Sequence, residues 1–98
     1  MPPHPLSIKT ITRSTRFDRE LKALQPDLLR EAKDAITDLF KDPIPVSRRL
    51  HSLSGYKNPK VFTIDVLSNH SYKISLEING EHAHLRRIAT HKELDRAA

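Results

Sequence analysis

Residues 61–96 read VFTIDVLSNHSYKISLEINGEHAHLRRIATHKELDR, and their periodicity sets the architecture. Phe62, Ile64 and Val66 alternate with Val61, Thr63 and Asp65; Tyr72, Ile74, Leu76 and Ile78 alternate with Lys73, Ser75 and Glu77. A repeat of two places one set of side chains on each face of a sheet. One face is therefore expected to be apolar and the other to carry Asp65, Lys73 and Glu77. Ser68–Ser71 turns the first hairpin and Asn79-Gly80 the second, Asn-Gly being a strong signal for a tight turn. In the third run, His82 to Ala89, Leu85 and Ile88 cannot share a face in regular geometry with Arg86 and Arg87 between them. A bulge or twist is expected there, with the arginine that faces the polar side left open.

Upstream of this stretch, Leu6–Ile11 has a strand pattern with Leu6, Ile8 and Thr10 on one face, after a proline-pinned tail (1–5) expected to be mobile. Ser14 or Thr15 can cap a helix of about three turns, whose stripe is Phe17, Leu21 and Leu24 and whose end is set by Pro26. The same proline can open a second helix, with Asp27 in its first turn. Leu28, Leu29, Ala32, Ala35, Ile36, Leu39 and Phe40 keep the helical period up to Asp42-Pro43, and Pro43-Ile44-Pro45 forces a turn. Arg48–Leu53 reads as a short edge strand, and Ser54–Pro59 as a loop. The order β-α-α-β-β-β-β makes a single α+β domain over residues 1–98. In it a two-helix hairpin packs on one face of a largely antiparallel, four- to five-stranded sheet. The other face is expected to be free and polar.

The 98 residues suffice for one modest core. Hydrophobic residues make up 37% and no apolar run reaches membrane-spanning length, so a bilayer partner is excluded. There is no cysteine, which removes disulfide and thiol chemistry and makes a reducing cytoplasm the expected setting. Lys and Arg number 17 against 12 Asp and Glu, a net charge of +5, and the segment 43–60 supplies four of those charges (Arg48, Arg49, Lys57, Lys60) without an acid. That distribution suits either a solvated loop or an edge that tracks phosphates.

The segment RRLHSLSGY (48–56) and the run HSYKISLEINGEHAHLRRIATHKEL (70–94), in this element order, resemble the RelE/ParE superfamily of bacterial toxins. The resemblance implies a small cytoplasmic toxin bound to a cognate antitoxin in a hetero-oligomer. In the RelE-like branches it implies a ribosome-dependent endoribonuclease that cuts messenger RNA; in the ParE branch, a non-enzymatic DNA gyrase inhibitor. A degenerate member would only bind its antitoxin. Residue by residue, Lys73 lies where RelE-like members place a phosphate-contacting arginine. His91, in Ala89-Thr90-His91, matches the histidine of a Gly-Thr-His motif in the YafQ-like branch. His51 matches that branch's "H.L" histidine, and His70 or Asp65 falls near its remaining histidine and aspartate. Thr63 and Asp65 stand about where RelE has paired lysines, so histidine and aspartate chemistry fits better than a lysine mechanism.

Cleavage by the 2′-hydroxyl needs a base, an acid and cations around the phosphate, and needs neither metal nor cofactor. The expected catalytic set is His91, Asp65, His70, Lys73 and Arg87. The expected RNA-binding set is Arg48, Arg49, His51, Lys57, Lys60 and Arg86. Each has a plainer reading: His91 at a helix start, His70 exposed in a turn, Asp65 in a cross-strand pair with Lys73, the arginines facing an acidic partner.

Overall fold

The computed structural model describes residues 8–57 and 59–98. The expected tail (1–5), Leu6 of the first strand and Asn58 of the expected loop lie outside the described residues. The elements are β1 (Thr10–Arg13), α1 (Thr15–Lys22), α2 (Pro26–Asp38), β2 (His51–Lys57), β3 (Lys60–Asp65), β4 (Tyr72–Asn79), β5 (His82–Thr90) and α3 (His91–Arg96). They form the expected α+β order with one five-stranded sheet, β1-β5-β4-β3-β2. Strands β2 to β5 pair antiparallel, and β1 pairs parallel to β5. Among the described residues, no helix is long and apolar enough to cross a membrane.

The alternation in β3 and β4 is the one read from sequence. Ile64, Val66, Ile74, Leu76, Leu85 and Ile88 share a buried cluster with Phe17 of α1 and with Ala32, Ala35 and Leu39 of the second helical segment. Each large side chain so buried contributes about 1.5–3 kcal/mol. The bulge also forms. Ser75 stands opposite Arg87 and Leu76 opposite Leu85, so Arg86 is the extra residue that lets Leu85 and Ile88 face the same core. Arg87 is thereby turned to the second sheet face.

Several boundaries differ from the sequence reading. β1 is Thr10–Arg13 rather than Leu6–Ile11, because parallel pairing sets Thr10 opposite His82. Thr10 and Thr12 then bond His82 and His84 on the second face instead of joining Ile8, which is buried. α1 has 8 residues, shorter than expected, with Ser14 as cap: its Oγ accepts the Phe17 amide at 2.9 Å. α2 stops at Asp38, since Leu39, Phe40 and Lys41 each donate three residues back in a tightened last turn. The expected loop at 54–59 is mostly strand: β2 continues to Lys57 through an irregular stretch in which Gly55 takes φ +88°.

The larger correction concerns the second face. It is not free: Thr63, Asp65, Lys73, Ser75 and Arg87 on it are all buried. Here α3 lies against β4 and β5, with Leu94 buried. Val61, Ala89 and Ala98 are also buried, giving this side an apolar layer of its own. Thr90 caps α3 in a reciprocal capping box with Glu93, so His91 is the first helical residue and not the cap.

Candidate functional site

Strand pairing brings the expected site residues to one end of the sheet. Asp65, at the end of β3, stands opposite Lys73 on β4, and Lys73 stands opposite Ala89 on β5. The His91 amide donates to the Ser71 carbonyl at 2.9 Å, which sets the start of α3 beside the β3–β4 turn. His70 closes that turn in the left-handed region, φ +64°. A non-glycine residue held there is strained backbone, and such strain collects at functional sites. Arg49, across the cleft, has the same conformation at φ +50°.

Asp65 is the hub. At 2% exposure it receives Lys73 Nζ on Oδ1 at 2.6 Å, and on Oδ2 it meets His70 Nδ1 at 2.5 Å and Arg49 Nε at 3.6 Å. Burial pushes its carboxyl up, but the hydrogen bond and charge of Lys73, and then those of His70, outweigh this and hold it below the usual carboxylate range. An ionised carboxylate only accepts, so the proton between it and His70 sits on Nδ1. That leaves His70 Nε2 as the nitrogen able to take a further proton.

Around this hub lies an open cleft of about 530 Å³, lined by Arg49, His70, Ser71, Lys73, His91 and Lys92 among others. It gathers cationic and imidazole groups over one buried carboxylate. His91 is half exposed, with Nε2 3.1 Å from Asp95 Oδ2 one helical turn on. Among the described residues, no group of three or more His, Asp or Glu side chains gathers as metal ligands.

The remaining expected residues lie elsewhere. Arg87 does not line this cleft. Its guanidinium forks onto Glu20 at 2.6 and 3.1 Å and donates to the Ala97 carbonyl at 2.7 Å. Arg86 is held by Glu77 at 2.7 Å and by the Ala98 carbonyl at 3.2 Å. Both border a separate cleft of about 460 Å³, lined also by Glu77, His84 and the two residues after α3, Ala97 and Ala98. Arg48 is turned inward onto Asp38 and onto the Asp65 and Val66 carbonyls. His51 has Nδ1 on the Arg49 carbonyl at 2.6 Å and Nε2 3.4 Å from Thr63 Oγ1. Lys57 and Lys60 pair at the other end of β3 from Asp65.

Sequence reasoning missed Lys92, whose signal is adjacency to His91, and Asp38, the acid that holds Arg48. It also missed Glu20. Where β1 ends, Glu20 takes over the edge of β5, accepting the Ile88 amide at 3.2 Å as well as the Arg87 guanidinium. No local pattern announces a partner 67 positions away.

No protein family's sequence profile matches this chain, and no curated protein matches it in sequence. Solved structures do. YafQ from E. coli strain BL21(DE3) superposes with a TM-score of 0.71 at 18% identity, over 86% of this chain and 94% of that one. The chain has the RelE/YafQ fold. A chain of the archaeal RelE-RelB complex from Pyrococcus horikoshii OT3 matches with a TM-score of 0.65 at 11% identity, covering 86% of this chain and 94% of that one. A chain of the RelB-RelE antitoxin-toxin complex from Methanococcus jannaschii gives 0.63 at 20% identity, covering 89% and 99%. The superpositions establish the RelE-like fold alone at identities this low, and the chemistry rests on this chain's own side chains.

Proposed function

We propose that this chain is the toxin of a toxin–antitoxin pair, a metal-independent endoribonuclease that cuts messenger RNA on the ribosome in the cytoplasm and is held inactive by a cognate antitoxin. The observation that carries the reading is the Asp65–His70–Lys73 array beside His91 in one cleft. Its support at fold level is the likeness to chains whose structures are described as YafQ and as RelE-RelB antitoxin-toxin complexes.

In this scheme His70, oriented through Nδ1 by Asp65, takes the 2′-hydroxyl proton at Nε2. The 2′-oxygen then forms its bond to phosphorus as the bond to the 5′-oxygen breaks. His91, as imidazolium, gives that leaving oxygen its proton, so the products are a 2′,3′-cyclic phosphate and a 5′-hydroxyl. Lys73, Arg49 and Lys92 supply positive charge where the phosphorane-like transition state gathers negative charge, usually the largest catalytic contribution. Arg49 and Lys92 hold the phosphate in place of Arg87, which was expected in the catalytic set but does not line the cleft. Lys57, Lys60 and His51 extend a basic edge for the RNA strand.

Expression with growth and transcript measurements tests this. The wild-type chain is expected to arrest growth and cut transcripts at ribosomes. His70→Ala and His91→Ala, each folded by circular dichroism, are expected to lose about 10²–10⁴-fold in cleavage rate. Full toxicity in both variants would overturn the scheme. A supercoiling defect with intact transcripts would move the protein to gyrase inhibition.

A further inference from the structure

We infer that Arg48, clamped by Asp38, is a positioning residue that fixes the Asp65 end of β3 and aims Arg49 into the cleft. This rests on the ribonuclease reading for its activity arm only.

The side chains of Arg48 and Asp38 are 16% and 15% exposed and meet with Arg48 Nε 2.8 Å from Asp38 Oδ2. From there Arg48 Nη1 donates to the carbonyls of Asp65 at 3.2 Å and Val66 at 3.1 Å. The guanidinium thus ties the end of α2 to the backbone that carries Asp65. Its planar fork allows both attachments at once, which a lysine ammonium does not reproduce. The next residue, Arg49, ends a 3-10 turn over Val46–Arg48 in the left-handed region and sends its own guanidinium to Asp65 Oδ2. Two adjacent arginines therefore point to opposite sides of one strand end, one anchored inside and one at the cleft. The Asp38 carboxyl is held below the usual range by the hydrogen bond from Lys41 and, against the effect of burial, by Arg48. It is a charged anchor at neutral pH. An RNA-contacting role for Arg48 does not fit this placement, since its Nε and Nη1 are engaged within the fold and its side chain is mostly buried.

The test uses Arg48→Lys in the full chain, with two readouts. Cleavage of a short messenger RNA on programmed ribosomes is expected to show kcat falling by about tenfold or more with KM within about twofold, since small misplacement of reacting groups is costly while the cleft charge is unchanged. Arg49→Ala, which removes cleft charge as well, is expected to lower kcat and raise KM together. Independently of activity, the ¹³Cγ resonance of Asp65 is expected to titrate at higher pH in Arg48→Lys than in wild type. If Arg48 is only structural, the melting temperature falls while kcat of the folded protein and the Asp65 titration stay at wild-type values, and the inference is overturned. If Arg48→Lys does not fold, Asp38→Asn, which keeps the arginine and removes its anchor, carries the same two readouts. If the wild-type chain cuts no RNA, the ribonuclease reading fails, and the Asp65 titration still decides the positioning role.

Discussion

Asp65 and Lys73 form a buried ion pair that bears on stability and, under the proposed mechanism, on chemistry as well. The Asp65 carboxyl titrates below its ordinary value of about 3.9, so its ionised form favours the folded state. The sign follows from linkage: this contribution is fully present above about pH 4 and is lost as the pH falls through the lowered folded-state value. Asp65→Asn is therefore expected to flatten the loss of stability between about pH 4 and pH 2, as measured by urea unfolding at stepped pH. At neutral pH the same variant leaves the Lys73 ammonium, 6% exposed, without its counter-ion. A loss of about 3 kcal/mol is expected there. An unchanged acid limb in Asp65→Asn would mean that the carboxylate is not held ionised by its neighbours.

Elements here are joined by single side chains that stand in for missing backbone partners. β1 ends at Arg13, and Ser14 then donates its amide to the Leu85 carbonyl and its Oγ to the Arg86 carbonyl, while Glu20 continues along the same edge. The Glu20–Arg87 fork raises the guanidinium's hold on its proton, chiefly through the Glu20 hydrogen bond against the effect of burial. Arg87 also grips the end of α3 through the Ala97 carbonyl. Glu20→Gln is expected to cost about 3 kcal/mol in chemical unfolding, because it strands a nearly buried guanidinium. Cleavage by the remaining folded protein is expected to stay near wild type, as this pair borders a different cleft. In β2, nothing stands within 4 Å of a Cβ built on Gly55, whose φ is +88°. Gly55→Ala is accordingly expected to lose about 1 kcal/mol through backbone conformation alone, read as a lower melting temperature.

Over the whole molecule, the charges of the basic segment 43–60 are spread along β2 and β3 instead of gathering at the cleft. Arg49 faces the cleft, whereas Lys57 and Lys60 sit at the far end of the strand pair. If these lysines follow an RNA backbone, binding should weaken with salt, and the slope of log K against log salt should fall by about 0.7 for each single-strand phosphate that is no longer neutralised. Lys57→Ser with Lys60→Ser is expected to reduce that slope by about one to two while leaving the rate at saturating RNA unchanged. An unaltered slope would assign the two lysines to solvation.

The Asp65, His70, Lys73 and His91 set was drawn from the family resemblance, whereas local pattern along the chain was enough for the element order, the inward face of β3 and β4 and the need for a bulge near Arg86. Those features follow from periodicity, turn chemistry and residue type, which need no distant partner. Which arginine enters the cleft was settled by folding alone. Arg48, Arg86 and Arg87 look as available as Arg49 in the chain, but Asp38, Glu77 and Glu20 claim them across 10, 9 and 67 positions. The covering of the second sheet face by α3 was likewise invisible, because a six-residue helix with one buried leucine, Leu94, carries too little pattern to reveal where it docks. Side-chain pairing between distant segments is set by packing geometry, and no periodicity along the chain encodes it.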